Sequence, residues 1–261
     1  MPKPQSGILE PPGPHCLVLV LGVRDLPLCS MSVAKIGAMV PQLNHEVGVS
    51  YPGARLRAMV GFGPQLWNYI NPSASTPGFS PPYDDEGEDE EGSGEDLLLF
   101  LSSEDPSLND NLVQRVREVC GNLTRTCHET RGVYEGSSGL QVMEGAGTEQ
   151  ILIGSSDPEL DRSGFCCFTL LEPGMDSEGN IAGILDETLL TYRFRTPEDC
   201  KGVLVLGAGA GVLRRWKEGA VEGARTATDL FLVPSLDLLT GLRMGGLRMG
   251  ALSITSIWKD L

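Results

Sequence analysis

The sequence predicts an α+β protein made of two successive units of the order β-α-β-β-α-β, the second shorter than the first. Two observations carry this. Compact runs rich in Val and Leu, each bounded by proline, glycine or charged residues, alternate with stretches whose apolar residues recur at helical spacing. The same pattern then starts again after residue 164.

In chain order, CLVLVLGV (16–23) reads as a buried strand, preceded by prolines and followed by Arg24-Asp25. Residues 32–46 place Val33, Ile36, Met39, Val40 and Leu43 on one helical face, with Pro41 expected to bend or split the helix. ARLRAMVGF (54–62) alternates as a strand does, and GFGPQLWNYI then turns into a short helix. Residues 71–95 are expected to form a disordered insert, because proline, glycine, serine and acidic residues bury too little apolar surface to offset the entropy of ordering. DLLLFLSS (96–103) is the next strand. A helix over 108–123 follows, with Leu112, Val113, Val116, Val119, Cys120 and Leu123 on one face, and the strand TCHETRGVYE (126–135) closes the unit. That order is the ferredoxin-like arrangement, one sheet with two helices on one side.

After a loop at 136–164 the second unit (165–240) offers the strand FCCFTLLEPG, a turn at DSEGN, the strand KGVLVLGAG, a helix near 211–223 and the strand DLFLVPSLDLL. Its 75 residues from Phe165 to Leu239 compare with about 120 in the first unit, so it is expected to be truncated. Residues 241–261 repeat LRMG and are expected to form a tail.

The net charge of −15 comes largely from one run, DDEGEDEEGSGED at 84–96, and the rest of the chain carries −6. No cluster of Lys and Arg is present to bind phosphates, which argues against nucleic acid or an anionic membrane. No apolar run approaches the roughly 20 residues that span a bilayer, and the first 15 residues have no signal-peptide core. Seven cysteines without metal-like or redox spacing fit a reducing, cytoplasmic location, and the adjacent Cys166 and Cys167 sit in an apolar run where Cys acts as a small hydrophobe. GVLVLGAGAGV (202–212) imitates a dinucleotide fingerprint, but Val212 stands where its last glycine belongs and too little chain follows.

Several stretches together, QSGILEPPGPH before the first strand, GFGPQL after the second, EDLLLFL at the third and LFLVPSLDLL near the end, resemble the dye-decolourising peroxidases. The resemblance covers most of the chain. It implies that the two halves pack as one barrel-like α/β unit, with haem in a pocket of the second half reached by the joining loop. The family's loop pattern G-x-x-D-G-T-E-N corresponds to Met143–Gln150, MEGAGTEQ, followed by IGSSDPEL. Gly147, Thr148 and Glu149 then match the pocket loop, and Ala146 fills the position of the catalytic aspartate. In the other register Glu144 is the acid, at the expense of Thr148-Glu149. The family's distal arginine position falls on Asp186.

These substitutions matter chemically. A haem peroxidase moves a proton between the two peroxide oxygens, and alanine cannot. A carboxylate repels the departing negative oxygen that an arginine stabilises. The family's proximal histidine lies between the loop and the DSEGN turn, and here no histidine follows His128. His15, His45 and His128 read as ordinary structural or surface residues, while Cys166, Cys167, Tyr192 and the methionines have the chemistry to bind iron but no spacing that singles one out. The expectation is therefore a peroxidase-like protein with no intact catalytic site, no metal and no cofactor, acting by binding or assembly as a homo-oligomer or with a protein partner. The alternative is a haem b peroxidase with an atypical iron ligand and weak activity toward hydrogen peroxide.

The insert provides a direct check. Deleting residues 71–95 should leave the melting temperature nearly unchanged, and a large drop on thermal denaturation would show that the segment belongs to the packed domain.

Overall fold

The computed structural model describes residues 7, 10–50, 53–63, 66, 69, 96–139, 164–171, 189–207 and 224–232. The short helix expected after GFGPQL, the insert, the joining loop, the helix near 211–223 and the tail lie wholly or largely outside them. Among these residues eight strands and two α-helices follow in order: β1 (His15–Val23), α1 (Leu26–Ser50), β2 (Leu56–Phe62), β3 (Leu97–Ser103), α2 (Pro106–Cys120), β4 (Thr124–Gly139), β5 (Gly164–Leu171), β6 (Leu189–Arg195), β7 (Lys201–Gly207) and β8 (Ala224–Leu232).

The strands close into a barrel in the order β1-β3-β2-β8-β5-β7-β6-β4. The first half contributes β4-β1-β3-β2 and the second β8-β5-β7-β6, the same internal order twice, with every pairing antiparallel. This is the predicted pair of ferredoxin-like sheets, each closing the other's edges through β2–β8 and β4–β6.

The second half has its full set of four strands, which corrects one part of the sequence reading: no strand was expected at LLTYRFR, yet it forms β6. Its alternation is plain in retrospect, with Tyr192 and Phe194 buried and Arg193 and Arg195 on the other face. The turn after it is tight. Cys200 N donates to Thr196 Oγ1 and Thr196 N to Cys200 O, with Asp199 at φ 61°, a left-handed conformation that Asp tolerates. What is short in the second half is its connections: 172–188 joins β5 to β6, where the first half uses 24–55 between β1 and β2.

Both faces of the first sheet are covered, which is why CLVLVLGV and DLLLFLSS are continuous apolar runs without alternation. Leu17, Leu19, Leu21, Leu99 and Leu101 belong to the face opposite the barrel interior, and α1 and α2 cover this sheet with Ile36, Val40, Leu43, Leu112, Val113 and Val116 buried. Toward the barrel interior Val18, Val20, Met59, Leu98 and Phe100 join Phe168, Tyr192, Phe194 and Leu204 in one cluster, so the two halves share a core.

α1 begins six residues before its expected start. Asp25 Oδ1 accepts from Leu28 N, a capping contact followed by Pro27 in the first turn, and both residues are helix-start signals. It also runs straight through Pro41 instead of splitting there. Pro41 is exposed, and burial of Ile36, Val40 and Leu43 on either side of it outweighs the roughly 3 kcal/mol such a proline costs. Asn44 ties the end of α1 to β2, donating to Leu56 O and accepting from Leu56 N, both at 2.8 Å. α2 starts on Asp105 and Pro106 and stops at Gly121, whose φ of 50° a glycine adopts without strain.

Two glycines make room for one ring. A Cβ on Gly132 would lie 2.5 Å from Cδ2 of Phe194, and one on Gly202 would overlap the same ring from the neighbouring strand. Gly202→Ala is therefore expected to destabilise the protein by ~1–3 kcal/mol through overpacking, and pairing it with Phe194→Leu should recover part of that loss in chemical denaturation.

Candidate functional site

Among the described residues, the barrel interior is packed with aromatic rings. Phe100 stacks on Tyr192 with centroids 5.7 Å apart, Phe168 stacks on Phe194 at 6.2 Å, and Phe100 and Phe194 touch at 6.4 Å, filling the centre with four rings. The Tyr192 hydroxyl donates to the Gly7 carbonyl at 3.2 Å, which anchors the segment leading into β1. Tyr192 is thereby removed from the residues that could bind iron: ring and hydroxyl are both committed to the core. Cys16 also faces this interior, and burial pushes its thiol up to about 12, so it stays protonated at neutral pH.

A cavity of about 310 Å³ opens where the start of β1, the middle of β4, the first turns of α2 and the β6–β7 turn meet. Its wall includes His15, Asn109, Asp110, Arg131, Val133 and Arg195. Asn109 comes from the buried face of α2; its amide donates to His15 O at 3.0 Å, while its own Oδ1 is buried with no hydrogen-bond partner. The two guanidiniums are each neutralised. Arg131 bonds Asp110 and Glu129, both at 2.8 Å, and Arg195 bonds Glu135 at 2.7 Å with Asp199 at 3.7 Å. The hydrogen bond to Asp110 leads the causes that raise the Arg131 pKa, so the guanidinium keeps its charge. A cavity of this volume, with neutralised rims and one unmet acceptor, suits a small uncharged molecule carrying an N–H or O–H donor. A macrocycle of four pyrroles does not fit it.

The site residues expected from the sequence, Glu144, Ala146, Gly147, Thr148, Glu149 and Asp186, all lie outside the described residues. The structure does locate all three histidines. His15 lines the small cavity, His45 is exposed on α1, and His128 lies on β4 opposite Val20, beside the irregularity in the β1–β4 register. None belongs to the second half. An iron-binding histidine from that half therefore does not fit this chain, and any iron there would need another donor. Cys166 and Cys167 are placed only by backbone register, opposite Leu206 and Val205 of β7. Among the described residues, no group of three His, Cys, Asp or Glu is placed to hold a metal ion. Among the same residues no helix is long and apolar enough to cross a membrane.

Sequence reasoning missed the cavity residues Asn109, Arg131 and Arg195. Asn109 is the one with a local signal, a polar residue one position after Leu108 and three before Leu112 on the buried face of α2.

No protein-family model and no curated protein matches the sequence. Solved structures do match the fold. The chain is similar to a dye-decolorizing protein from V. cholerae (14% identity, TM-score 0.67, covering 91% of this chain and 99% of that one). It is similar to a dye-decolorizing peroxidase from Bacteroides thetaiotaomicron (16%, TM-score 0.68, 92% and 98%). It is also similar to a DypB variant from Rhodococcus jostii RHA1 in complex with heme (18%, TM-score 0.66, 90% and 97%). The chain has the fold of the dye-decolorizing peroxidases, as the resemblance implied. The expectation that no cofactor belongs here is corrected by the same comparison, because DypB variants of this fold are in complex with heme.

The cavity wall depends on the start of α2. Asp105 Oδ1 accepts from Ser107 N at 2.9 Å, and that bond holds its carboxyl below the usual carboxylate range. A lowered pKa in the folded state stabilises above the ordinary value and is lost as pH falls through the lowered one. Asp105→Ala should thus lower the melting temperature at pH 7, with the difference from wild type shrinking in acid. Asp105→Asn, which also caps, should retain most of the stability at pH 7.

Proposed function

We propose that the chain is a member of the dye-decolourising peroxidase family that binds haem b through an atypical iron ligand and reduces hydrogen peroxide weakly. One observation carries the reading: two sheets of identical order close into one barrel whose likeness to such peroxidases, some of them in complex with heme, extends over nine tenths of the chain. Bound haem would supply the iron that takes the peroxide. Cys166, Cys167 or a methionine supplies the donor, since no histidine belongs to the second half.

The weakness of the activity rests on two residues. Ala146 has no group to accept a proton, and Asp186 carries the wrong charge to stabilise a departing anionic oxygen. Losing a positioned acid-base group typically costs ~10²–10⁴ in rate, which leaves binding and chemistry separable.

Reconstitution tests the reading. With haem supplied, the full chain should bind it stoichiometrically and give a Soret band distinct from that of free haem, with peroxide-dependent dye oxidation only slightly above the free-haem rate. Ala146→Asp should raise that oxidation rate at unchanged haem stoichiometry. Absence of any protein-specific Soret band would overturn the proposal, and high turnover by the unaltered chain would place the acid at Glu144 instead.

A further inference from the structure

The first-half helices meet at a pair of cysteines that no peroxidase chemistry uses. Cys29 lies in the first turn of α1, Cys120 is the last residue of α2, and both side chains are fully buried. The two thiols interact, each being the leading influence on the other's pKa, raising that of Cys29 and lowering that of Cys120. The surrounding contacts fix the pair independently of the sulfurs: one turn along α1, Ser32 Oγ donates to Val119 O at 3.3 Å, and Arg24 N donates to Leu123 O at 2.8 Å just beyond the two helix ends. Neither thiol is in a disulfide.

We propose that Cys29 and Cys120 form a peroxide-sensitive dithiol, which hydrogen peroxide converts to a disulfide clamping the start of α1 to the end of α2. The roles divide by environment. The interaction with Cys29 shifts Cys120 toward the thiolate, while the interaction with Cys120, burial and the carboxylates of Asp96 and Asp25 hold Cys29 protonated. The Cys120 sulfur attacks one peroxide oxygen, the O–O bond breaks, and with one proton the products are a sulfenic acid and water. The Cys29 sulfur then attacks the Cys120 sulfur, the S–O bond breaks, and the thiol proton leaves with the hydroxyl as a second water. Two thiols and one peroxide give one disulfide and two waters.

Geometry and access both allow this. The bonds from Ser32 to Val119 and from Arg24 to Leu123 hold the two helix ends against each other around the buried pair, and a disulfide needs its sulfurs about 2.05 Å apart. Both residues sit at helix ends, where fraying by one turn admits a molecule as small as peroxide, so oxidation is expected in minutes to hours rather than seconds. The link would close the chain from 29 to 120, spanning α1, β2, β3 and α2.

Peptide mapping of the full chain tests this without any variant and without haem, so its failure is distinct from failure of haem binding. After reduction and then treatment with hydrogen peroxide, intact mass should fall by two hydrogens, and digestion without reductant should yield one cross-linked peptide joining Cys29 to Cys120. The melting temperature should rise by a few °C and return on adding dithiothreitol. Cys29→Ser and Cys120→Ser should each abolish the cross-link and the reversible rise. The proposal is overturned if Cys29 and Cys120 remain alkylatable after peroxide treatment and denaturation, or if either is found linked to another cysteine such as the half-buried Cys127.

Discussion

Edge closure governs this structure. A four-stranded sheet leaves two rows of unpaired N–H and C=O groups, and an exposed row invites pairing with another chain. Here each half supplies the partner for the other, because β2 and β8, and β4 and β6, lie side by side. The order 4-1-3-2 places strands two and four of each half at the edges, so two copies of one topology close a ring. Closure creates the interior where Phe100 of the first half meets Phe168, Tyr192 and Phe194 of the second. Gly132 and Gly202 follow from the same need, since a side chain at either position would compete with Phe194 for space.

Among the described residues the centre is packed, and the cavity they form lies at the rim. The cavity at Asn109 is a rim feature, assembled from β1, α2, β4 and the β6–β7 turn. Its walls come from both halves, so it exists only in the closed ring. The cysteine pair is, by contrast, a property of the first half alone, where two helices end against one another. The two features are therefore independent: one depends on how the halves join, the other on how one half is capped.

The first half was legible from the sequence because its signals are local and agree. β1 and β3 are apolar throughout, α2 has a cap, a proline and an amphipathic face, and Gly121 ends it. Errors arose where a tertiary effect competed with a local rule, as at Pro41, whose helix is held by packing on either side. β6 carries a weaker signal than the wholly apolar runs around it, since Leu190, Tyr192 and Phe194 alternate with Thr191, Arg193 and Arg195. Of the site, the loop motif at Gly147–Glu149 was legible only through resemblance. His15, Asn109, Arg131 and Arg195 share no spacing that a linear reading would detect, since strand register and barrel closure bring them together.

The two joints of the ring are unequal. Among the described residues β4 and β6 are matched from Val133↔Arg195 to Gly139↔Leu190, whereas β2 and β8 are matched only at Gly61↔Leu232 and Phe62↔Phe231. A ring with one long joint and one short joint has a hinge and a clasp. Thermal breathing concentrates at the clasp, which can part by losing a few hydrogen bonds while the hinge keeps both halves in register. Such an opening would leave β2, still paired with β3, and β8, still paired with β5, each with one unpaired edge, so a single short ladder sets how readily this barrel becomes an adhesive sheet.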